Sequence, residues 1–170
     1  MINTFIFEFT DNYINIYNKK TGELLNVAIN SNIIVDNKIY DYLKLVNLLN
    51  EIVNKYKIIN SIFKTKIIIL NFEEVFPSEM FLRKNLFKKI INVNAKIINA
   101  YEILDDRHIF ISGNVSYYKG KVVDKLNKKC YIVVGDSSTK DKIKNSLIKK
   151  YKIKLLEYEN SNTILYESIK

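Results

Sequence analysis

The chain opens on strict alternation. Residues 4–10 (TFIFEFT) and 13–17 (YINIY) each place apolar side chains at every second position, and the Asp11-Asn12 step between them has turn chemistry. That pattern predicts two antiparallel strands. The tract from Asn18 through Lys19, Lys20 and Thr21 to Gly22 is a hairpin signal, and residues 23–29 predict a third strand, with a short extension at 33–35. From residue 40 to 56 the period changes. Leu43, Val46 and Leu49, with Leu45, Leu48, Ile52 and Val53, recur at helical spacing, and Asp41 or Asn37 is placed to cap the start. Residues 66–71 (KIIILN) form a continuous apolar run, the signature of a strand covered on both faces.

A second helix is expected from Phe76-Pro77-Ser78-Glu79 to about residue 91. Pro77 suits a first turn, Glu79 suits the positive end of the dipole, and Phe81, Leu82, Leu86, Phe87, Ile90 and Ile91 are expected to point inward. Residues 96–100 predict a short strand, and Asp105-Asp106-Arg107 is a polar break. Beyond it, residues 109–112 read as a strand, 115–123 as a strand or a hairpin bent at Gly120, and 130–134 (CYIVV) as a buried strand. The turn Gly135-Asp136-Ser137-Ser138 leads into a helix at 140–151, with Ile143, Leu147 and Ile148 on one face. Residues 153–157 and 163–166 close the chain as strand-like runs. The order is that of an α/β fold with a mixed sheet, three antiparallel strands followed by parallel strands alternating with helices.

Composition bounds what this fold can do. The 170 residues suffice for one well-buried core or two tightly packed lobes, and with 48% hydrophobic residues, 12 Tyr and 9 Phe the chain can fill one. A single compact domain over 1–170 is expected. With 4 Gly and 1 Pro there is no flexible linker. The counts of 28 Ile, 22 Asn and 25 Lys against 2 Arg point to A+T-rich coding, so the net charge of +9 is read partly as codon bias. Such a charge favours loose contact with nucleic acid or an anionic membrane surface. Specific nucleic-acid recognition usually recruits arginine forks, and only Arg83 and Arg107 are present, so it is not expected. The lone Cys130 is expected to be a buried, inert thiol, and with the lone His108 it cannot build a Cys/His zinc site. No apolar run reaches the length of a transmembrane helix and no signal peptide is seen, which together point to the cytoplasm.

The motif wording resembles the bacterial actin-like, MreB-type family of the ribonuclease-H-like superfamily. In that family a first strand carries Asp-hydrophobic-Gly-Thr, and Glu8-Phe9-Thr10-Asp11 falls at that position. A third strand ends near Val-Ala-Ile, matched by Asn26-Val27-Ala28-Ile29. An apolar strand, a Pro-Ser step and a helix leading to a strand that ends in Glu are matched by residues 67–70, Pro77-Ser78 and residues 96–102. A Gly-Gly-x-Ser turn is similar to Gly135-Asp136-Ser137-Ser138. The resemblance implies lobes at 1–103 and 104–170, a chain about half as long as the family's, and Mg-ATP as the ancestral cofactor. Thr10, Asp11, Gly135 and Ser137 would be the residues facing a nucleotide.

The departures carry the functional expectation. Glycine in the phosphate loops lets backbone N–H groups approach the phosphates, and Thr10 in that place obstructs them. Glu8 stands where the family has Asp, and the second phosphate loop is reduced at best to Ser112-Gly113-Asn114. ATP hydrolysis is therefore read as lost. The turn at Gly135 also has an ordinary reading as an N-capped strand-to-helix turn. The expected function is a non-catalytic scaffold or assembly protein that requires no cofactor. It would act as a homo-oligomer or within a larger cytoskeletal or membrane-associated assembly. The alternative on the same fold is a metal-dependent nuclease or resolvase, with Glu8, Glu73 or Glu74, and Asp136 converging on two Mg²⁺. His108, in a polar turn, is expected at the surface. Tyr117-Tyr118 beside Lys119 and Lys121 are expected to pack across a hairpin rather than stack on bases.

Overall fold

The computed structural model describes residues 2–59, 64–72, 75–112, 115–123, 131–134 and 161–170. The expected helix at 140–151, the strand at 153–157, Cys130 and the turn at Gly135 lie outside the described residues. The chain divides into two compact units, Met1–Ile98 and Asn99–Lys170.

The first unit is built on a five-stranded sheet in the order β3-β2-β1-β6-β7. The alternating start forms β1 (Ile2–Phe9), β2 (Tyr13–Asn18) and β3 (Glu23–Ala28), each antiparallel to the one before. Gly22, at φ +72°, closes the second hairpin, with its N–H donating to the Asn18 carbonyl at 2.8 Å. The apolar run becomes β6 (Lys64–Asn71), parallel to β1 with Phe5 opposite Ile67 and Phe7 opposite Ile69. Ile67, Ile68, Ile69 and Leu70 are all buried, as a strand covered on both faces requires. β7 (Lys96–Asn99) lies beyond β6.

One face of this sheet carries the core. Phe5, Phe7 and Phe9 of β1 point to it by alternation, joined by Ile14, Ile16, Ile67 and Ile69. Helix α1 (Tyr42–Lys55) supplies Leu45, Leu49, Ile52 and Val53, and α2 (Pro77–Ile91) supplies Leu86 and Phe87. The rings of Phe7 and Phe87 sit 4.5 Å apart. Burying side chains of this size stabilises by about 1.5–3 kcal/mol each. Asp41 caps α1, accepting from the Lys44 N–H at 3.0 Å, and α2 ends on Asn92 in the left-handed region.

Several expectations are corrected here. The extension at 33–35 is a separate small hairpin, β4 (Ile34–Val35) with β5 (Lys38–Ile39), rather than part of the third strand. Leu43 is 65% exposed and Phe81 is 68% exposed. The buried stripe of α1 starts at Leu45, and a residue two places earlier lies on the far side of a helix. Phe81 stands in the same relation to buried Arg83.

In the second unit, Ala100–Ile103 forms the short helix α3 where continued strand was expected. The strands β8 (His108–Ser112), β9 (Val115–Tyr118), β10 (Lys121–Val122) and β11 (Tyr131–Val134) form a sheet in the order β10-β9-β8-β11. The expected bend at Gly120 is a hairpin turn, with Gly120 at φ +74°. Residues 163–166 are not a strand but part of helix α4 (Ser161–Ser168). The buried positions Leu165, Tyr166 and Ile169 follow helical spacing, and that pattern outweighs the β-propensity of Thr and Ile there.

The two sheets repeat one arrangement. In each, a first strand pairs antiparallel with the next, a third strand joins beyond that, and a later strand returns parallel to the first. The order β3-β2-β1-β6 is thus matched by β10-β9-β8-β11.

Candidate functional site

In open α/β sheets, ligands gather beyond the carboxyl ends of parallel strands. Here those are the ends of β1 and β6, where Glu8, Thr10 and Asp11 lie.

The loop after β1 is closed on itself. The Thr10 N–H donates to the Tyr13 carbonyl at 3.0 Å, and the Thr10 hydroxyl donates to the same carbonyl at 2.8 Å. The Tyr13 N–H returns a bond to Thr10 Oγ1 at 3.0 Å. Two of the loop's backbone donors are therefore spent within the loop. The Asp11 carboxylate accepts from the N–H groups of Asp36 and Asn37, at 3.0 and 2.9 Å. Both donors have positive φ, 51° and 58°, as a two-residue hairpin turn of this hand needs. Asp11 thus ties the first hairpin loop to the β4–β5 turn.

Glu8 is buried and belongs to a polar ladder. Asn15, directly opposite it on β2, donates from Nδ2 to Glu8 Oε2 at 2.9 Å. Asn26, opposite Asn15 on β3, donates from Nδ2 to Asn15 Oδ1 at 2.8 Å. The ladder crosses three strands on the face opposite the α1–α2 core. Partial burial, and secondarily the charge of Glu8, raise the pKa of the Tyr13 phenol above its ordinary value.

The most enclosed charges were not foreseen. Arg83 in α2 is 1% exposed and Glu79, one turn earlier, is 6% exposed. Arg83 Nε donates to Glu79 Oε1 at 3.0 Å and Nη1 to Asn71 Oδ1 at 2.7 Å. Nη2 donates to Asn37, both to its side-chain oxygen at 3.0 Å and to its carbonyl. Glu79 Oε1 also accepts the Ile39 N–H at 3.1 Å, and the guanidinium lies 6.0 Å from the Phe9 ring centre. The result is a clamp joining α2, the end of β6 and the β4–β5 turn. Asn37 was expected as an alternative helix cap and serves this clamp instead. An arginine among 25 lysines, four residues after a glutamate inside a helix, was the available signal.

Of the other expected site residues, Glu73, Glu74, Gly135, Asp136 and Ser137 lie outside the described residues, so their convergence with Glu8, Thr10 or Asp11 is not described. Among the described residues no group of three or more His, Cys, Asp or Glu side chains is placed to hold a metal ion.

In the second unit, His108 is buried rather than at the surface, with Nδ1 2.6 Å from Asp105 Oδ1. The polar break does not expose the ring, because β8 begins at His108 and Asp105 folds back over it. Arg107 pairs with the other Asp105 oxygen at 2.6 Å, and the Arg107 hydrogen bond is the main cause that holds the Asp105 carboxyl below the ordinary range. Tyr117 packs across the hairpin against Phe110, and its ring stacks on Tyr101 at 4.5 Å between centres.

These features define an actin-like ATPase fold. The chain is similar to MreB5 of Spiroplasma citri bound to ADP, with 14% identity and a TM-score of 0.52 over 72% of this chain and 50% of that one. For the same protein bound to AMPPNP the values are 14% and 0.51, over 72% and 51%. The chain therefore spans about half the length of the MreB5 chains it matches. It is also similar to a Bacteroides thetaiotaomicron protein described as having an actin-like ATPase fold and unknown function, with 10% identity and a TM-score of 0.50 over 98% of this chain and 95% of that one. No protein-family model matches the chain, and no curated protein matches its sequence. Among the described residues no helix is long and apolar enough to cross a membrane.

Proposed function

We propose that this protein is a non-catalytic scaffold or assembly protein built on the actin-like fold. It acts by self-association or by docking on a larger cytoskeletal or membrane-associated apparatus. The observation that carries the reading is the closed loop after β1. A phosphate cradle needs backbone N–H groups aimed outward at the anion. Here the N–H groups of Thr10 and Tyr13 turn back into the loop, and the Asp11 carboxylate is engaged by the β4–β5 turn.

An exposed patch on the same unit supports a docking role. Val35, Lys38 and Tyr40 are exposed around the β4–β5 hairpin, and the Lys38 ammonium lies 5.6 Å from the ring of exposed Phe76. Apolar groups clustered in this way mark contact surfaces. The net charge of +9 favours an anionic partner or membrane surface.

Calorimetric titration with Mg-ATP, a phosphate-release assay and sedimentation test the reading together. The expected result is neither tight binding nor turnover, with concentration-dependent oligomers or co-sedimentation with a partner assembly. Tight Mg-ATP binding accompanied by turnover would overturn it.

A further inference from the structure

We infer that β3 is a self-pairing edge, through which two copies join antiparallel about a two-fold axis at Asn26. The inference deepens the scaffold reading, on which it rests for its purpose, by naming the surface of self-association.

β3 is a terminal strand of the five-stranded sheet and has six residues. Its hydrogen-bonding phase is set by one bond, from the Ile29 N–H to the Asn12 carbonyl at 2.9 Å. In an antiparallel pair, hydrogen-bonded residues alternate along each strand. Glu23, Leu25 and Val27 therefore bond inward to β2. Leu24, Asn26 and Ala28 turn their N–H and C=O groups outward to the open edge. A two-fold axis at Asn26 sets these groups against the same groups of a second copy, Asn26 opposite Asn26 and Leu24 opposite Ala28.

The side chains suit that register. Leu24 is 40% exposed and would lie over the second copy's Ala28. Asn26 spends one amide hydrogen on Asn15, and among the described residues its Oδ1 and second amide hydrogen have no protein partner. At the axis these would meet the second copy's Asn26, joining the two Glu8–Asn15–Asn26 ladders into one continuous row. Asparagine amides stacked across paired strands make such ladders.

Among the described residues the edge carries little of the usual protection, its one charge being Glu23 at the first position. Natural edge strands carry lysine, proline or a bulge, or are very short. β3 has no proline and none of the chain's 25 lysines, and its register with β2 is unbroken from Tyr13 opposite Ala28 to Asn18 opposite Glu23. At the edge of the other sheet, β10 is only two residues long.

The test is sedimentation equilibrium of the full chain across a micromolar to millimolar series, with circular dichroism to confirm folding. Wild type is expected to form a dimer. Ala28→Pro removes an outward N–H and no bond to β2, so it is expected to stay folded and monomeric. Two further variants check the register independently. Leu24→Glu with Ala28→Glu, and Leu24→Lys with Ala28→Lys, should each be monomeric alone and dimeric when mixed. Edge variants that associate like wild type would overturn the inference while leaving the scaffold reading in place. A monomeric wild type would overturn both this inference and the self-association part of that reading. Mg-ATP turnover by a protein that still dimerises through β3 would overturn only the non-catalytic part.

Discussion

Nη1 of Arg83 lies 2.7 Å from Oδ1 of Asn71, joining the middle of α2 to the end of β6 in a place almost closed to solvent. The same guanidinium reaches Glu79 and Asn37, so one side chain fixes three elements beside the candidate site. Removing one partner of a buried pair leaves an uncompensated charge. Arg83→Met should therefore lower the unfolding free energy by about 3–5 kcal/mol. Arg83→Lys should recover little, because an ammonium cannot reproduce the planar fork. Urea denaturation measures both. A loss below about 1 kcal/mol for Arg83→Met, within the range of an exposed pair, would show that the clamp is not structural.

Asp11 tests whether the first loop is held by its neighbour hairpin. Its carboxylate accepts two backbone N–H groups at partly exposed positions. Asp11→Ala should cost about 1–2 kcal/mol, within the usual range for such bonds. Amide exchange should rise at Asp36 and Asn37 and stay unchanged in α1. Unaltered exchange at those two amides would rule out the tie.

Glu8 and Asn15 should be energetically coupled. Each single alanine variant removes one partner of the buried Asn15 Nδ2–Glu8 Oε2 hydrogen bond and leaves the other in place, while the double variant removes both. A double-mutant cycle should therefore give a coupling of about 0.5–3 kcal/mol. Additive losses in thermal or urea unfolding would mean that the ladder is incidental.

The acid side of the stability profile should depend on Asp105. Its pKa is held below the ordinary carboxylate value by Arg107 and His108. A depressed folded-state pKa adds stability above the unfolded value, about 3.9, and that stability is lost as pH falls toward the folded value. The gap in melting temperature between wild type and Asp105→Asn should be open at neutral pH and shrink steadily below about pH 4. A gap independent of pH through that window would contradict the assignment.

Much of the fold was legible in local patterns. The alternation of residues 4–10 and 13–17 became β1 and β2, the isoleucine run became the central strand β6, and Asp41 caps α1. Each depends on a periodicity or a cap confined to a few neighbouring residues. The errors arose where two local signals competed. Residues 163–166 have the composition of a strand, but Leu165, Tyr166 and Ile169 are buried at helical spacing, and packing decided for the helix. Leu43 and Phe81 are apolar residues two positions away from the buried stripe of their helices, Leu43 before Leu45 in α1 and Phe81 between Glu79 and Arg83 in α2. The site was less legible than the fold. Glu8, Thr10 and Asp11 could be singled out by their place around the end of the first strand, but their partners come from β2, the first loop and the β4–β5 turn.

The sequence by itself determined the main strand–helix order of the first unit, the two-sided burial of β6 and the scarcity of glycine that argues against a phosphate cradle, because these follow from short-range sterics and hydrophobic spacing. Only the tertiary structure decided that Arg83, Glu79, Asn71 and Asn37 meet, that Asp11 is engaged by Asp36 and Asn37, and that β3 stands at an edge. Those contacts join residues far apart in the chain, and no local propensity encodes which distant groups the packed core will bring within hydrogen-bonding distance.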